Sequence, residues 1–206
     1  MDTKVFLVRH GVTDWHRENR VLGQRDIPLN AQGVAQAGTI ADALATMKIA
    51  DVISSPLIRA VQTAEVIGKR FHIQVARDPR FIDFRVGKWE GMSYADISAS
   101  PEYQRFLADP MSERIPGGEN MADIRKRAVG AVEQSLEDAP SGDGIVIVTH
   151  AGLIRVLLTH YAGSNPANYH RIRVAPGSVS ILSFSDDKQL PRILAINWRG
   201  TLLEVI

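Results

Sequence analysis

The stretch that decides the fold is Lys4-Val5-Phe6-Leu7-Val8-Arg9-His10-Gly11-Val12-Thr13-Asp14-Trp15. Val5 to Val8 is a continuous apolar run, not an alternating one. It reads as a strand buried on both faces, the mark of a parallel sheet covered by helices. The run stops at Arg9 and His10. Working outward, Asp51 to Ser55 and Ile145 to Thr149 repeat the pattern. The first of these ends in Ser54-Ser55-Pro56, the second in His150-Ala151-Gly152.

Helical patterns separate these runs. Asn30 is placed to cap a helix with Ala37, Ile40, Ala41, Leu44 and Met47 on one face. Ser55 followed by Pro56 reads as an N-cap and a proline in the first helical turn. That helix buries Ala60, Ala64 and Ile67 and carries Arg59 in its first turn. Further strands are predicted at Ile73–Ala76, Ser178–Phe184 and Arg192–Asn197, and a helix from Leu153 to Tyr161. The alternation predicts an α/β three-layer sandwich, with a mostly parallel central sheet and helices on both faces.

The chain has 206 residues, with no repeat and no long linker, which predicts one domain over 1–206. Residues 85–122 differ from the rest. Gly87, Gly91, Pro101, Pro110 and Pro116-Gly117-Gly118 punctuate short helical pieces there, so a lid or substrate-side insertion is expected. The absence of cysteine excludes a disulfide scaffold, a thiolate metal site and a cysteine nucleophile. Lys and Arg number 24 against 23 Asp and Glu, which gives no global pull toward nucleic acid. No run of about 18 apolar residues suggests a membrane span, and the start is charged too early for a signal peptide. A cytoplasmic enzyme without metal or cofactor is the expectation, since no metal-ligand spacing such as H-E-x-x-H occurs.

Three strand ends thus carry reactive residues. Ligands of open α/β sheets bind outside the carboxyl ends of the strands. Arg9, His10, Arg59 and His150 therefore fall along one rim. Guanidinium forks match phosphate oxygens, and helix N-termini point N–H groups at an anion. The chemistry indicated is phosphoryl binding, with histidine as nucleophile or acid/base.

Leu7-Val8-Arg9-His10-Gly11-Val12-Thr13-Asp14-Trp15 resembles the histidine phosphatase superfamily, also called phosphoglycerate-mutase-like. The resemblance continues at Arg20, Gly23-Gln24, Asp26, Pro28-Leu29 and Gly33, and at Ser54-Ser55-Pro56-Leu57 with Arg59-Ala60. It recurs at Gly87-Lys88-Trp89-Glu90-Gly91, Pro116-Gly117-Gly118-Glu119 and Val148-Thr149-His150-Ala151-Gly152. These blocks span about residues 5–155.

The resemblance implies that His10 is the nucleophile and carries a phosphohistidine. It implies that Arg9, Arg59 and a protonated His150 clamp the transferring group. It places the general acid at Asp83, where the family has glutamate; the side chain is one methylene, about 1.5 Å, shorter. Glu90 is the alternative acid. His16 stands where the family usually has asparagine beside the phosphate, and Arg20, Gly23 and Gln24 belong to a loop used near substrate.

Three expectations concern charges elsewhere. Glu119 reads as a helix-start carboxylate. Arg125-Lys126-Arg127 reads as a solvated helix face, and His170-Arg171-Ile172-Arg173 as a charge cluster at a strand edge. Tyr169 to Gly177 is expected at the mouth of the site.

Mutases of the family tend to be longer, so the resemblance favours a phosphatase of the bacterial cofactor-independent branch. Its substrate would be a small phosphorylated metabolite, hydrolysed through a phosphohistidine on His10. A 2,3-bisphosphoglycerate-dependent phosphoglycerate mutase is the second reading, and a non-catalytic phospholigand-binding module the third. Family habit also implies a homodimer.

Overall fold

A strand that is apolar on both faces needs two covers, and the chain supplies both. The computed structural model describes residues 2–185 and 191–200. The ends of the predicted 1–206 domain, Met1 and 201–206, lie outside the described residues. The strands are β1 (Thr3–Arg9), β2 (Ile49–Ser54), β3 (Ala76–Arg77), β4 (Gly144–Thr149), β5 (Val179–Phe184) and β6 (Arg192–Trp198). The helices are α1 (Asp14–Arg17), α2 (Ala31–Ala43), α3 (Ile58–Phe71), α4 (Tyr94–Ser98), α5 (Pro101–Ala108), α6 (Met121–Asp138) and α7 (Ala151–Tyr161).

The six strands form one sheet in the order β3-β2-β4-β1-β5-β6. The β3, β2, β4 and β1 strands run parallel, and β5 and β6 are added antiparallel. Phe6 and Val8 of β1 face a core with Ile40 of α2, Leu44 just past its end, and Ala60, Ala64 and Ile67 of α3. Val5 and Leu7 face the opposite core, with Ile124 and Val132 of α6 and Leu153 and Leu157 of α7. Each face buries its own apolar stripe, which is why β1 and β4 show no polar alternation. A mixed α/β fold with helices on both faces is thus present, as the sequence predicts.

The details depart from expectation in places. Ser55 does not cap α3. The helix starts at Ile58 with Leu57 as its first flanking residue, and Leu57 makes no side-chain cap. Pro56 lies before the helix, and the Ser55 hydroxyl accepts from the Leu57 amide at 3.4 Å while facing the site. The strand predicted at Ile73–Ala76 shrinks to the two residues Ala76 and Arg77. Asn30 does cap α2, its side chain accepting from the Gly33 amide at 3.0 Å. Met47 lies beyond that helix, yet still packs on the same core.

Parallel pairing sets the rim. Arg9 stands opposite Thr149, and Ser54 opposite Val148, so β1, β2 and β4 all end together. The turn after β1 sits hard against the start of α2. A Cβ on Gly11 would lie 2.4 Å from the Gly33 carbonyl oxygen, and one on Gly33 would lie 2.2 Å from that of Val12. Two glycines let two backbones touch, and this fixes where the residues after β1 point. On the same side, residues 87–118 carry α4, α5 and a short 3₁₀ turn at Gly87–Trp89. Trp89, Ile97, Phe106 and Ile115 of this segment are buried in the core shared with α6 and α7.

Candidate active site

The site is built on the ends of β1, β2 and β4. His10 leaves β1 with its amide donating to the Thr149 carbonyl at 3.1 Å. Its ring is buried. Nδ1 lies 2.8 Å from the Gly11 carbonyl, which can only accept, so Nδ1 carries the proton. Nε2 is then the free lone pair, and the Arg59 Nε–H donates to it at 3.3 Å. Burial, and after it the charge of Arg59, holds the imidazole neutral, well below its ordinary pKa. A buried neutral imidazole with its proton fixed on the far nitrogen is a nucleophile aimed by its backbone.

Arg59 projects from the first turn of α3 and is fully buried. Its Nη1 donates to the Arg25 carbonyl at 2.6 Å and its Nη2 to that of Gly23 at 2.7 Å. Nη2 also donates to Asp83 Oδ2 at 3.2 Å. The guanidinium therefore joins His10 to the carboxyl expected as acid. Arg9 is held by the Val174 carbonyl at 2.7 Å, while its buried Nε has no partner among the described residues. Burial brings the Arg9 pKa down to about 10, which leaves it charged at neutral pH.

Asp83 belongs to the loop after the 3₁₀ turn Pro79–Phe81. Its Oδ1 accepts from the Phe84 amide at 2.9 Å, and Oδ2 lies 3.5 Å from His150 Nδ1. Burial raises its carboxyl above the usual range, against the pull of Arg59. A carboxyl with a raised pKa beside the phosphoryl site suits a proton donor.

Glu90 does not share this place. Oε1 accepts from the Gln24 amide at 2.8 Å, and Oε2 pairs with Arg25 at 3.1 Å. Glu90 holds the loop that supplies the Gly23 and Arg25 carbonyls to Arg59. Gln24 reaches Asp83 rather than the cavity, its side chain donating to the Asp83 carbonyl at 3.0 Å. Gly23 contributes its carbonyl and a left-handed backbone with φ of 51°. Arg20 stands at the cavity with its guanidinium 5.7 Å from the Trp15 ring centre, paired to Glu18.

Two histidines take a form that the sequence does not show, and for His150 this corrects the expectation. His150 is not protonated: burial and the nearby Arg59 and Arg9 push its pKa well below the ordinary value. Its Nε2 lies 2.7 Å from the Ser55 hydroxyl. If Ser55 donates, the ring proton sits on Nδ1, on the side of Asp83. Ser55, read from sequence only as a cap, thus orients a site histidine; its position between strand end and Pro56 was the available signal. His16 is likewise no cation. Its Nδ1 accepts from the Thr13 amide at 3.1 Å, its Nε2 lies 2.7 Å from Arg9 Nη2, and burial beside Arg9 lowers its pKa to about 3. It orients Arg9 instead of adding charge.

Arg127 and His170 are the other corrections. Arg127 of α6 is no solvated residue. Its Nη1 donates to the Arg80 and Ile82 carbonyls, both at 2.7 Å, and Nη2 donates to the Asp83 carbonyl at 3.3 Å. Glu119 pairs with it at 3.2 Å, so this carboxylate does more than greet a helix start. His170 lies in a 3₁₀ turn, Pro166–Arg171, not at a strand edge, and it lines the cavity with Tyr169. One guanidinium bonded to three successive parts of the Asp83 loop sets where the carboxyl sits. Arg127→Met should therefore lower kcat about 10- to 100-fold with KM little changed, since misplaced catalytic groups lose rate more than binding. Alkyl phosphates should suffer more than p-nitrophenyl phosphate, and Arg127→Lys should restore only part. Equal losses on both substrates would remove Asp83 as the affected group.

The buried neutral histidines also predict acid sensitivity. An unfolded chain takes up protons near pH 6.5, whereas His10 and His150 in the fold do not. Their depressed pKa values stabilise the fold above pH 6.5, and that stability drains as pH falls. Between pH 6.5 and 5.5 each should cost about 1 kcal/mol. Urea midpoints measured across this interval check the slope; a flat profile would contradict neutral histidines.

A cavity of about 310 Å³ opens over Arg9, His10, His16 and Asp83. Among the described residues no cluster of His, Asp and Glu has the geometry to hold a metal, and no helix is long and apolar enough to cross a membrane.

Comparison with known proteins defines the class. The family model described as histidine phosphatase superfamily (branch 1) matches residues 5–199. The chain belongs to the histidine phosphatase superfamily, whose members are phosphatases and mutases. A relative from Yersinia enterocolitica, described as a probable phosphoglycerate mutase GpmB, is 32% identical over 189 residues, 91% of this chain and 87% of its own. Among solved structures, one titled mycobacterial hydrolase 1 aligns with a TM-score of 0.88 at 27% identity, covering 97% of this chain and 100% of that one. A mycobacterial glucosyl-3-phosphoglycerate phosphatase aligns with a TM-score of 0.85 at 26% identity, over 96% and 99% of the two chains.

Proposed function

We propose that the chain is a phosphatase that hydrolyses a small phosphate monoester through a phosphohistidine on His10. The observation that carries this reading is the His10 ring, with Nδ1–H on the Gly11 carbonyl and Nε2 on the Arg59 guanidinium that also holds Asp83. Phosphoryl binding redirects the Arg59 N–H and the unpartnered Arg9 Nε–H to the phosphoryl oxygens. Charge on a loose transition state is then matched by two guanidinium groups.

Nε2 attacks phosphorus, the ester P–O bond breaks, and Asp83 gives its proton to the departing oxygen. The resulting carboxylate takes a proton from water, whose oxygen attacks phosphorus as the P–N bond breaks and returns its electron pair to Nε2. Inorganic phosphate leaves, and His10 and Asp83 return to their starting states. Nothing in this cycle needs a second binding site on the substrate, which a mutase does need.

The resemblance to relatives named as probable phosphoglycerate mutases favours one second reading, return of the phosphoryl group to another hydroxyl. The two part on 3-phosphoglycerate. Release of free phosphate supports hydrolysis, and conversion to 2-phosphoglycerate supports the mutase. No phosphoryl adduct and no turnover across a panel of monoesters would leave only a binding module.

A further inference from the structure

The cavity has two unlike halves. One is the cationic phosphoryl end already described. The other is built largely by the segment from Phe84 to Ile115, which gives the lining no charged residue, while Asn19, Arg20, Arg155 and His170 border it from other elements. Phe84, Val86, Ile97, Phe106 and Ile115 bring no side-chain polar atom at all. Trp89 packs edge-on against Phe106 with ring centres 5.9 Å apart, and Phe106 against Tyr169 at 6.3 Å. The rings brace one another, so the wall is preformed.

Such a wall sorts alcohols. A polyol pressed against the Phe84, Val86, Ile97, Phe106 and Ile115 side chains would surrender water from its hydroxyls and find no partner on them, a cost for each group left unmatched. An aromatic ring or a branched hydrocarbon would exchange water for ring contacts instead. The volume, about 310 Å³, holds a phosphoryl group and one ring or short chain, near the lower bound of small-molecule pockets.

We infer that the alcohol half of the substrate is a compact apolar group, aromatic or branched, and not a polyol or an acyl polyol. This rests on the hydrolase reading and goes beyond it by naming the leaving group. The cavity accounts for discrimination through Phe84–Ile115, while Arg9, His10 and Arg59 treat every monophosphate alike. Tyr94 is the member of the segment to vary, because its side chain is largely exposed and its replacement leaves the core intact.

The test compares 2-phenylethyl phosphate with glycerol 1-phosphate, two alkyl esters with similarly poor leaving groups. The expected result is kcat/KM at least about tenfold higher for the phenylethyl ester, the scale on which hydrophobic pockets discriminate. Tyr94→Ser should shrink that ratio, and Phe106→Ser, if it folds, should shrink it more. A ratio near one, or one favouring glycerol 1-phosphate, overturns the subsite while leaving hydrolysis standing. Failure of both esters, with no phosphoryl adduct on His10 in quenched mass spectra, overturns the hydrolase reading and this inference with it.

Discussion

His10→Ala should lower turnover of every phosphate monoester by about four orders of magnitude or more, with the protein still folded. Removing a nucleophile leaves only positioning and charge, and losses of this size are usual for groups that act as a unit. The ring is also the piece on which Arg59 and the Gly11 carbonyl converge, and no second lone pair stands in the same position. The decisive readout is covalent. Native protein quenched shortly after mixing with substrate should carry one phosphoryl group, and the variant none. An adduct that persists in His10→Ala would move the nucleophile to another side chain of the site.

The second large effect concerns Asp83. Asp83→Asn keeps the shape and removes the proton, so alkyl phosphates should lose about 10²- to 10⁴-fold in kcat. The loss on p-nitrophenyl phosphate should be far smaller, because its leaving oxygen needs little help. The pH profile carries the sign. Asp83 must be protonated to donate, and burial raises its pKa, so the acid persists to higher pH than for an ordinary aspartate and is lost as pH rises through that value. His10 must be neutral, and its lowered pKa puts the acid limb well below 6.5. Native activity on alkyl esters should fall on the alkaline side, and the Asn variant should lack that limb. An Asn variant with unchanged alkyl turnover would return the role to another group; Glu90, tied to Gln24 and Arg25, is poorly placed to take it.

Much of this was legible in residues 4–15. A strand apolar on both faces requires helices on both sides of a sheet, and its polar ending marks the rim. The same logic read β2 and β4, and so brought Arg9, His10, Arg59 and His150 together. What sequence could not give was protonation. His150 looks like a cation beside phosphate, and the charge of His16 stays open, until burial and two neighbouring guanidinium groups are counted, and those are properties of packing. Arg127 was lost for a related reason. Arg125-Lys126-Arg127 has the look of a wet helix face, and only the crossing of α6 over the Pro79–Asp83 loop shows that the third of them turns inward. Ser55 reads as a cap because a serine before proline has two uses, and the helix begins two residues later than the pattern suggests.

The neighbours of β1 bear on how the protein is made. This strand pairs with β4 and β5, which begin at Gly144 and Val179, and the Gly177 amide donates to the carbonyls of both Arg9 and His10. The strand that ends at Arg9 and His10 leaves a ribosome well before either partner, since β4 begins only at Gly144 and β5 at Val179. At about 5–20 residues per second it waits on the order of ten seconds or more with both edges unpaired. A chain truncated before β5 would leave an apolar strand open on one side, prone to pairing with other copies. Nascent molecules of this protein should therefore depend on chaperones more than its modest size suggests.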